Sequence, residues 1–263
     1  MIDIQHDSVQ KEYYYACETS DTVIVFIHGI IEGPSQFTDL VQVAKDHGYA
    51  VLNLLLPGHG TTGKDFAHSS MEKWINHVDC AVDQMRAIYK HIILVGHSMG
   101  CLLAVHTCMK NANQIDGIFA IAIPLVIRLH SSGIRLGLKV IRHKLDETNE
   151  KELAAMEVYS VCESSLVDYI SWIPRYLELF RLCHVIKKEL PRLRTPICFI
   201  HSKDDEFIGR STVKMVKKLM LNEDTRIVIL ENSGHFYYSN ADRDMLRSCL
   251  VEFADELVPQ DLN

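Results

Sequence analysis

Short, almost unbroken aliphatic runs constrain this chain more than any other feature. "VIVFI" (23–27), "IILV" (92–95), "IFAIAI" (118–123) and "ICFI" (197–200) are each followed by a longer stretch that reads as a helix. A run of four to six apolar residues without alternation is what a strand shows when both of its faces are covered. Strands alternating with helices imply an α/β fold, a mostly parallel sheet flanked by helices. On this pattern the strands are expected at 12–18, 22–29, 49–56, 91–97, 115–124, 196–202 and 225–231, the first two joined by a turn at 19–21. Helices are expected at 35–48, 69–90, 99–110, around 211–220 and over 239–257. Ser69 and Glu72 have the spacing of a capping box at the start of the second of these.

One interval breaks the rhythm. Roughly seventy residues separate Pro124 from Pro196, where a crossover of about a dozen would connect two parallel strands. "LKVIRHKL", "MEVYSVCESSLVDYISWIP" and "RYLELFRLCHVIKKEL" carry helical periodicity and bulky apolar residues. They read as a helical cap, residues 125–190, inserted in a core made of 1–124 and 191–263. Connections leaving the carboxyl ends of parallel strands lie where ligands bind.

Composition narrows the function classes. The 263 residues carry a formal charge of −7, which argues against a nucleic-acid partner. No apolar run approaches the ~20 residues of a membrane span, and no stable membrane insertion is expected. The polar start "MIDIQHDSVQKEYYY" lacks the pattern of a targeting segment. Eight scattered cysteines without a Cys-x-x-Cys pair read as buried thiols, so neither disulfides nor a metal site is expected and the cytoplasm is the default compartment. The basic stretch 128–144, which includes Arg128, Arg135, Lys139, Arg142 and Lys144, is read as a cap helix with a solvated face. A membrane-surface segment is the alternative.

The chemistry starts at "LVGHSMG" (94–100), where Ser98 falls between a strand and a helix. In that context Gly96 and Gly100 relieve crowding and the turn exposes a nucleophilic hydroxyl. The Met99 amide then lies at a helix N-terminus and suits an oxyanion. The loop "IHGIIEG" supplies a second donor at Ile30, with His28 fixing that loop. A serine needs a base, and among fourteen histidines His235 stands out, in a glycine-containing loop after the last strand. His201 is its rival. His97 is expected to point away from an exposed turn, His59 to be structural and His106 to be a core residue. The acid lies among Asp204, Asp205 and Glu206, past the carboxyl end of the preceding strand.

The set "FIHGI", "PGHG", "GHSMG", "HSKDDEFI" and "SGH", in this order, resembles the α/β-hydrolase family, and is most similar to its carboxylesterase and monoacylglycerol lipase branch. The resemblance extends from about residue 12 to 257. It implies the α/β-hydrolase fold with Ser98 as nucleophile, His235 as base and the Ile30 and Met99 amides as the oxyanion hole. Spacing to the hydrophobic position at Ile208 selects Asp205 as the acid, although Ser202 stands where relatives carry glycine. Leu55 replaces an aspartate common in the family. No cofactor is expected, the substrate is expected to be an ester, and the apolar cap residues predict an acyl group of short to medium length. Residues Leu125, Val126, Ile127, Leu129, Trp172, Ile173, Tyr176, Leu177 and Phe180 are expected over the site. A thioesterase, peptidase or acyltransferase using the same triad is the alternative, as is a non-catalytic ligand-binding scaffold.

Overall fold

In a computed structural model describing residues 10–111, 114–128, 131–141, 144–162, 164–220 and 225–258, the apolar runs assemble into one sheet. Its strands are β1 (Tyr13–Tyr15), β2 (Thr22–Ile27), β3 (Ala50–Asn53), β4 (His91–His97), β5 (Gly117–Ile121), β6 (Ile197–Ser202) and β7 (Thr225–Leu230). The order across the sheet is β1-β3-β2-β4-β5-β6-β7. Only the β1–β3 pair is antiparallel. The turn at 19–21 therefore does not close a hairpin. Both edges of β2 are taken by the parallel strands β3 and β4, so β1 pairs with β3, Tyr13 opposite Asn53.

The helices are α1 (Thr38–Asp46), α2 (Gly63–Ala67), α3 (Met71–Arg86), α4 (Met99–Lys110), α5 (Ser131–Ile141), α6 (Glu150–Val158), α7 (Leu166–Ser171), α8 (Ile173–Glu189), α9 (Ser211–Leu219) and α10 (Asn240–Leu257). Strand alternation divides the core. Val23, Val25, Ile27, Ile92 and Leu94 face one side with residues of α3, α4 and α8. Ile24, Phe26, Ile93 and Val95 face the other with residues of α1 and α10. Helix α4 is apolar nearly all round because it packs between the sheet and α3 and α8. Burying Leu102, Leu103 and Val105 contributes roughly 1.5–3 kcal/mol each, so packing holds the helix behind Ser98. The start of α3 differs from expectation by one residue. Ser70 is its N-cap, accepting from the Lys73 amide at 3.2 Å, while Ser69 Oγ donates to the Pro57 carbonyl at 2.7 Å.

Helices α5 to α8 fill the interval between β5 and β6. Leu179, Leu182, Cys183 and Ile186 of α8 belong to the main core, as do Leu125 and Trp172. Ile173, Leu177 and Phe180 face solvent. Leu129 and Arg142 lie outside the described residues. The segment also clasps the loop after β2: the Ser160 amide donates to the Ile31 carbonyl at 3.0 Å and its hydroxyl to the Glu32 carbonyl.

The chain runs outward from β2 to β3 and returns on the other side at β4, so the strand order reverses between β2 and β4. Ile27 lies opposite Gly96. The loops that follow these residues leave the sheet side by side, at the kind of crevice where α/β sheets bind ligands.

Candidate active site

The turn after β4 is tight for a steric reason. A Cβ on Gly100 would stand 1.8 Å from the Ile27 carbonyl oxygen, and one on Gly96 would stand 2.5 Å from the Cys101 amide nitrogen. Between them Ser98 adopts φ 51° and ψ −118° as the N-cap residue of α4. Such a conformation costs a non-glycine residue about 1–3 kcal/mol and persists only where its surroundings impose it. Here the Ser98 amide donates to the Ile121 carbonyl at 2.9 Å. Met99 opens the helix, so its N–H has no intrahelical acceptor.

The loop after β2 is built from histidines, as expected of His28 and His59. His28 Nδ1 donates to the Gly29 carbonyl at 2.8 Å, and its Nε2 accepts the Leu56 amide at 3.0 Å. Burial pushes the His28 ring down to about 4, keeping it neutral for that role. His59 Nε2 accepts the Ile31 amide at 3.2 Å, which supports Ile31 at φ 59°, an outlier for a β-branched residue. Among the described residues no protein group accepts from the Ile30 amide.

The loops after β6 and β7 meet because those strands are neighbours, Ser202 opposite Leu230. His235 Nδ1 donates to Asp205 Oδ2 at 2.8 Å. Asp205 Oδ1 accepts the Phe207 and Ile208 amides at 2.8 and 2.7 Å. Burial opposes ionisation of Asp205, but the His235 charge and bond, with those amides, hold its carboxyl below the usual range. Burial would likewise lower the pKa of His235. The charge of Asp205 and its hydrogen bond outweigh that, with help from Glu32 and Glu206, and raise it above 6.5. Asp204 turns outward to Arg210 at 3.1 Å, and Glu206 Oε2 accepts the His235 amide at 2.9 Å. His201 is buried with both ring nitrogens unpartnered, and burial lowers its pKa. His106 is only half-buried, because it faces the edge of α4's packing. No hydrogen bond joins Ser98 Oγ to His235 among the described residues.

One residue escaped the sequence reading. Glu32 is 1% exposed, accepts from the Gly29 amide at 2.8 Å and from His97 Nδ1 at 2.7 Å, and places Oε1 3.9 Å from His235 Nε2. Its signal was a lone charge in the otherwise apolar and glycine-rich "HGIIEG". His97 is not on an exposed turn: it is fully buried, and its Nε2 lies 3.1 Å from the His235 carbonyl. The ligand-type atoms of Glu32, His97 and His235 fall within 4.8 Å of one another. Hydrogen bonds among these groups and Asp205 account for that grouping without an ion.

Aromatic rings wall the histidine. Phe236 lies 4.8 Å and Phe207 5.2 Å from the His235 ring, and Tyr159 stands 5.5 Å from Phe236. A cavity of about 470 Å³ opens beside this wall, lined by Leu40, Ile121, Phe236, Tyr238 and Leu246 among others.

A crevice at the switch of a mostly parallel sheet, with a strained serine on one side and a carboxylate-bound histidine on the other, defines the α/β-hydrolase class. The family described as serine aminopeptidase, S33, matches residues 18–241, and the chain belongs to it. It is 24% identical over 248 residues to a thermostable monoacylglycerol lipase of Bacillus sp. (strain H-257), covering 92% of this chain and 93% of that one. It is 37% identical over 98 residues to phospholipase YtpA of Bacillus subtilis (strain 168), a match spanning 36% of this chain and 38% of the relative. Among solved structures, one described under LipS and LipT, two metagenome-derived lipolytic enzymes, superposes with a TM-score of 0.73 at 20% identity. That match covers 94% of this chain and 98% of the other.

Proposed function

We propose that this protein hydrolyses carboxylic esters through an acyl-enzyme, with Ser98 as nucleophile, His235 as base and Asp205 as the acid that orients it. The observation carrying this reading is the His235–Asp205 bond of 2.8 Å, set in loops beside a serine held at φ 51°. His235 Nδ1–H is committed to Asp205, which leaves Nε2 unprotonated as the base. It takes the Ser98 proton as Oγ attacks the ester carbonyl, and returns it to the departing alcohol. A water activated by the same nitrogen then releases the acid. The Ile30 and Met99 amides bind the developing oxyanion. The Ser98–His235 contact forms when substrate is bound, since such bonds are commonly long or misaligned without it.

Residues 125–190 act as the cap, with α8 tying it to the core and Tyr159 reaching the site beside Phe236. The names of the relatives, lipases and esterases, support an ester over an amide. The apolar wall of Tyr159, Phe207 and Phe236 supports an aliphatic acyl group of short to medium length. Four of the eight cysteines are buried, where the sequence suggested all, and the eight free thiols support the cytoplasm, where we place the protein. Labelling with a fluorophosphonate tests the reading: wild-type protein reacts at Ser98 and the Ser98→Ala protein does not. A folded wild-type protein that takes no label would favour the non-catalytic scaffold.

A further inference from the structure

His97 immediately precedes Ser98, and both of its ring nitrogens face acceptors. Nδ1 lies 2.7 Å from Glu32 Oε2, and Nε2 lies 3.1 Å from the His235 carbonyl oxygen. A carbonyl oxygen never donates, so Nε2 carries a hydrogen. The short contact between Nδ1 and the carboxylate holds a second one. Glu32 and His97 thus share one proton beyond a bare carboxylate and a neutral ring, and the pair is neutral overall. The same Glu32 oxygen accepts the Gly29 amide at 2.8 Å. This buried pair therefore reaches the loop after β2, the turn after β4 and the loop after β7.

Stability does not explain it. Taking two charges out of water commonly costs as much as their attraction returns, and well-packed apolar residues serve a fold as well. What apolar residues cannot do is bind an amide in one loop and a carbonyl in another with fixed geometry. We propose that Glu32 and His97 are positioning residues of the hydrolytic site, one ion pair holding the oxyanion loop at Gly29 and the base loop at the His235 carbonyl in register beneath Ser98. The proposal rests on reading Ser98 and His235 as nucleophile and base. Neither member of the pair takes the substrate's proton. Their work is to keep donor, nucleophile and base at reacting distance, where a misplacement near 1 Å can cost about a hundredfold in rate.

Glu32→Gln separates charge from shape. The amide oxygen still accepts from Gly29, but a neutral side chain no longer holds the second proton on His97. The ring then gives up one of its two bonds, and the base loop is released. The expected result is kcat for p-nitrophenyl butyrate lowered roughly ten- to a hundredfold, with KM changed less than about threefold. The acid limb of the pH profile is the second readout. Among the described residues, His235 is faced by Asp205 and Glu206 after β6, His201 at the end of β6, Glu32 after β2, His97 before Ser98, and Tyr238, whose hydroxyl reaches the His235 carbonyl. The variant removes the Glu32 carboxylate, 3.9 Å from Nε2, and with it the second proton of His97, so the local charge is unchanged and the limb stays where Asp205 and Glu206 hold it.

His97→Asn should lose kcat to a similar extent, and the double variant should be no worse than the poorer single one, because both act through one pair. If the Gln variant does not fold by circular dichroism, His97→Asn carries the rate test. A folded Glu32→Gln protein with kcat within twofold of wild type overturns the proposal. So does an acid limb displaced to lower pH, which would make Glu32 a lone charge on His235 and not half of a neutral pair, or a loss that falls on KM as much as on kcat with a lowered melting temperature, which would make Glu32 a scaffold residue alone. Wild-type protein inert to both the ester and a fluorophosphonate would overturn the hydrolytic reading itself, and the pair's role with it.

Discussion

Asp205 Oδ2 and His235 Nδ1 are 2.8 Å apart, and Asp205 spends its other oxygen on two backbone amides of its own loop. The carboxylate is thereby fixed before the histidine meets it, and the histidine inherits one tautomer. Asp205→Asn leaves the shape and removes that control, and should lower kcat by about 10³–10⁴-fold, as loss of the orienting acid does in serine triads. Asp204→Asn should stay near wild-type activity, since Asp204 is half-exposed and bound to Arg210. Steady-state rates of the two variants decide it, and a larger loss at Asp204 would reverse the assignment.

Ser98→Ala should fold and lose several orders of magnitude in activity, leaving the rate that binding and oxyanion donors alone support. Ser98→Gly should be equally inactive but more stable than Ser98→Ala. Glycine occupies positive φ freely, so the strain at φ 51° is relieved, by an amount on the order of 1 kcal/mol. Denaturant unfolding of the two variants measures the difference. Equal stabilities would mean that the backbone at Ser98 is unstrained.

The pH dependence follows from the sign of the His235 shift. A base whose pKa is raised is protonated over more of the acid range, so kcat/KM should rise through a midpoint above the ordinary histidine value of 6.5. The same shift favours the folded state below 6.5, and that stability is lost as pH rises through the folded value. Asp205 and Glu32, held low, act oppositely. Their stabilisation is present above the ordinary carboxylate range and disappears as pH falls below it. A rate midpoint below 6.5 would contradict the environment described for His235.

The sheet was legible because β2, β4, β5 and β6 are covered on both faces, and that burial writes continuous apolar runs into the sequence. The partner of β1 was not, because a short strand with two exposed tyrosines pairs wherever an edge is free, and only the finished sheet shows that β3 supplies it. Ser98 and His235 could be found because glycines and strand ends mark them. Glu32 could not. Its importance lies in contacts with His97 and His235, 65 and 203 residues away in sequence, and the lone charge in "HGIIEG" does not say which groups it will meet. The segment 125–190 was legible in part. Helical periodicity showed that α8 has an apolar face, but not that this face joins the core while Ile173, Leu177 and Phe180 turn to water.

Trp172 is the place to test how the segment 125–190 is fastened. Its ring is buried against Phe66, 4.9 Å between centroids, and Nε1 donates to the Gly63 carbonyl at 2.9 Å. Trp172→Ala removes a large core side chain and orphans that carbonyl, and should destabilise the fold by about 3–5 kcal/mol. Equilibrium urea unfolding gives the value. A cost under about 1 kcal/mol, the size of a surface change, would mean that α7 and α8 are not anchored here.

Acyl length is decided by what surrounds the reacting centre. Tyr159, Phe207 and Phe236 stand beside His235, and the solvent-facing residues of α8 are removed from consideration. An apolar wall of this kind gains about 0.8 kcal/mol per methylene it buries, close to fourfold in binding, until the space is filled. In a series of p-nitrophenyl esters, kcat/KM should therefore climb over the first few carbons, peak at short to medium length and then fall. Phe236→Ala should move the peak to longer chains, because it opens the wall toward the adjoining cavity of about 470 Å³. Tyr159→Ala should lower the slope of the climb without moving the triad, since Tyr159 lies in the segment between β5 and β6 and packs on Phe236. A charged acyl group should be a poor substrate at short length, because desolvating it beside three aromatic rings is costly. A profile flat from acetate to decanoate, unchanged in Phe236→Ala, would show that the acyl chain does not lie against this wall.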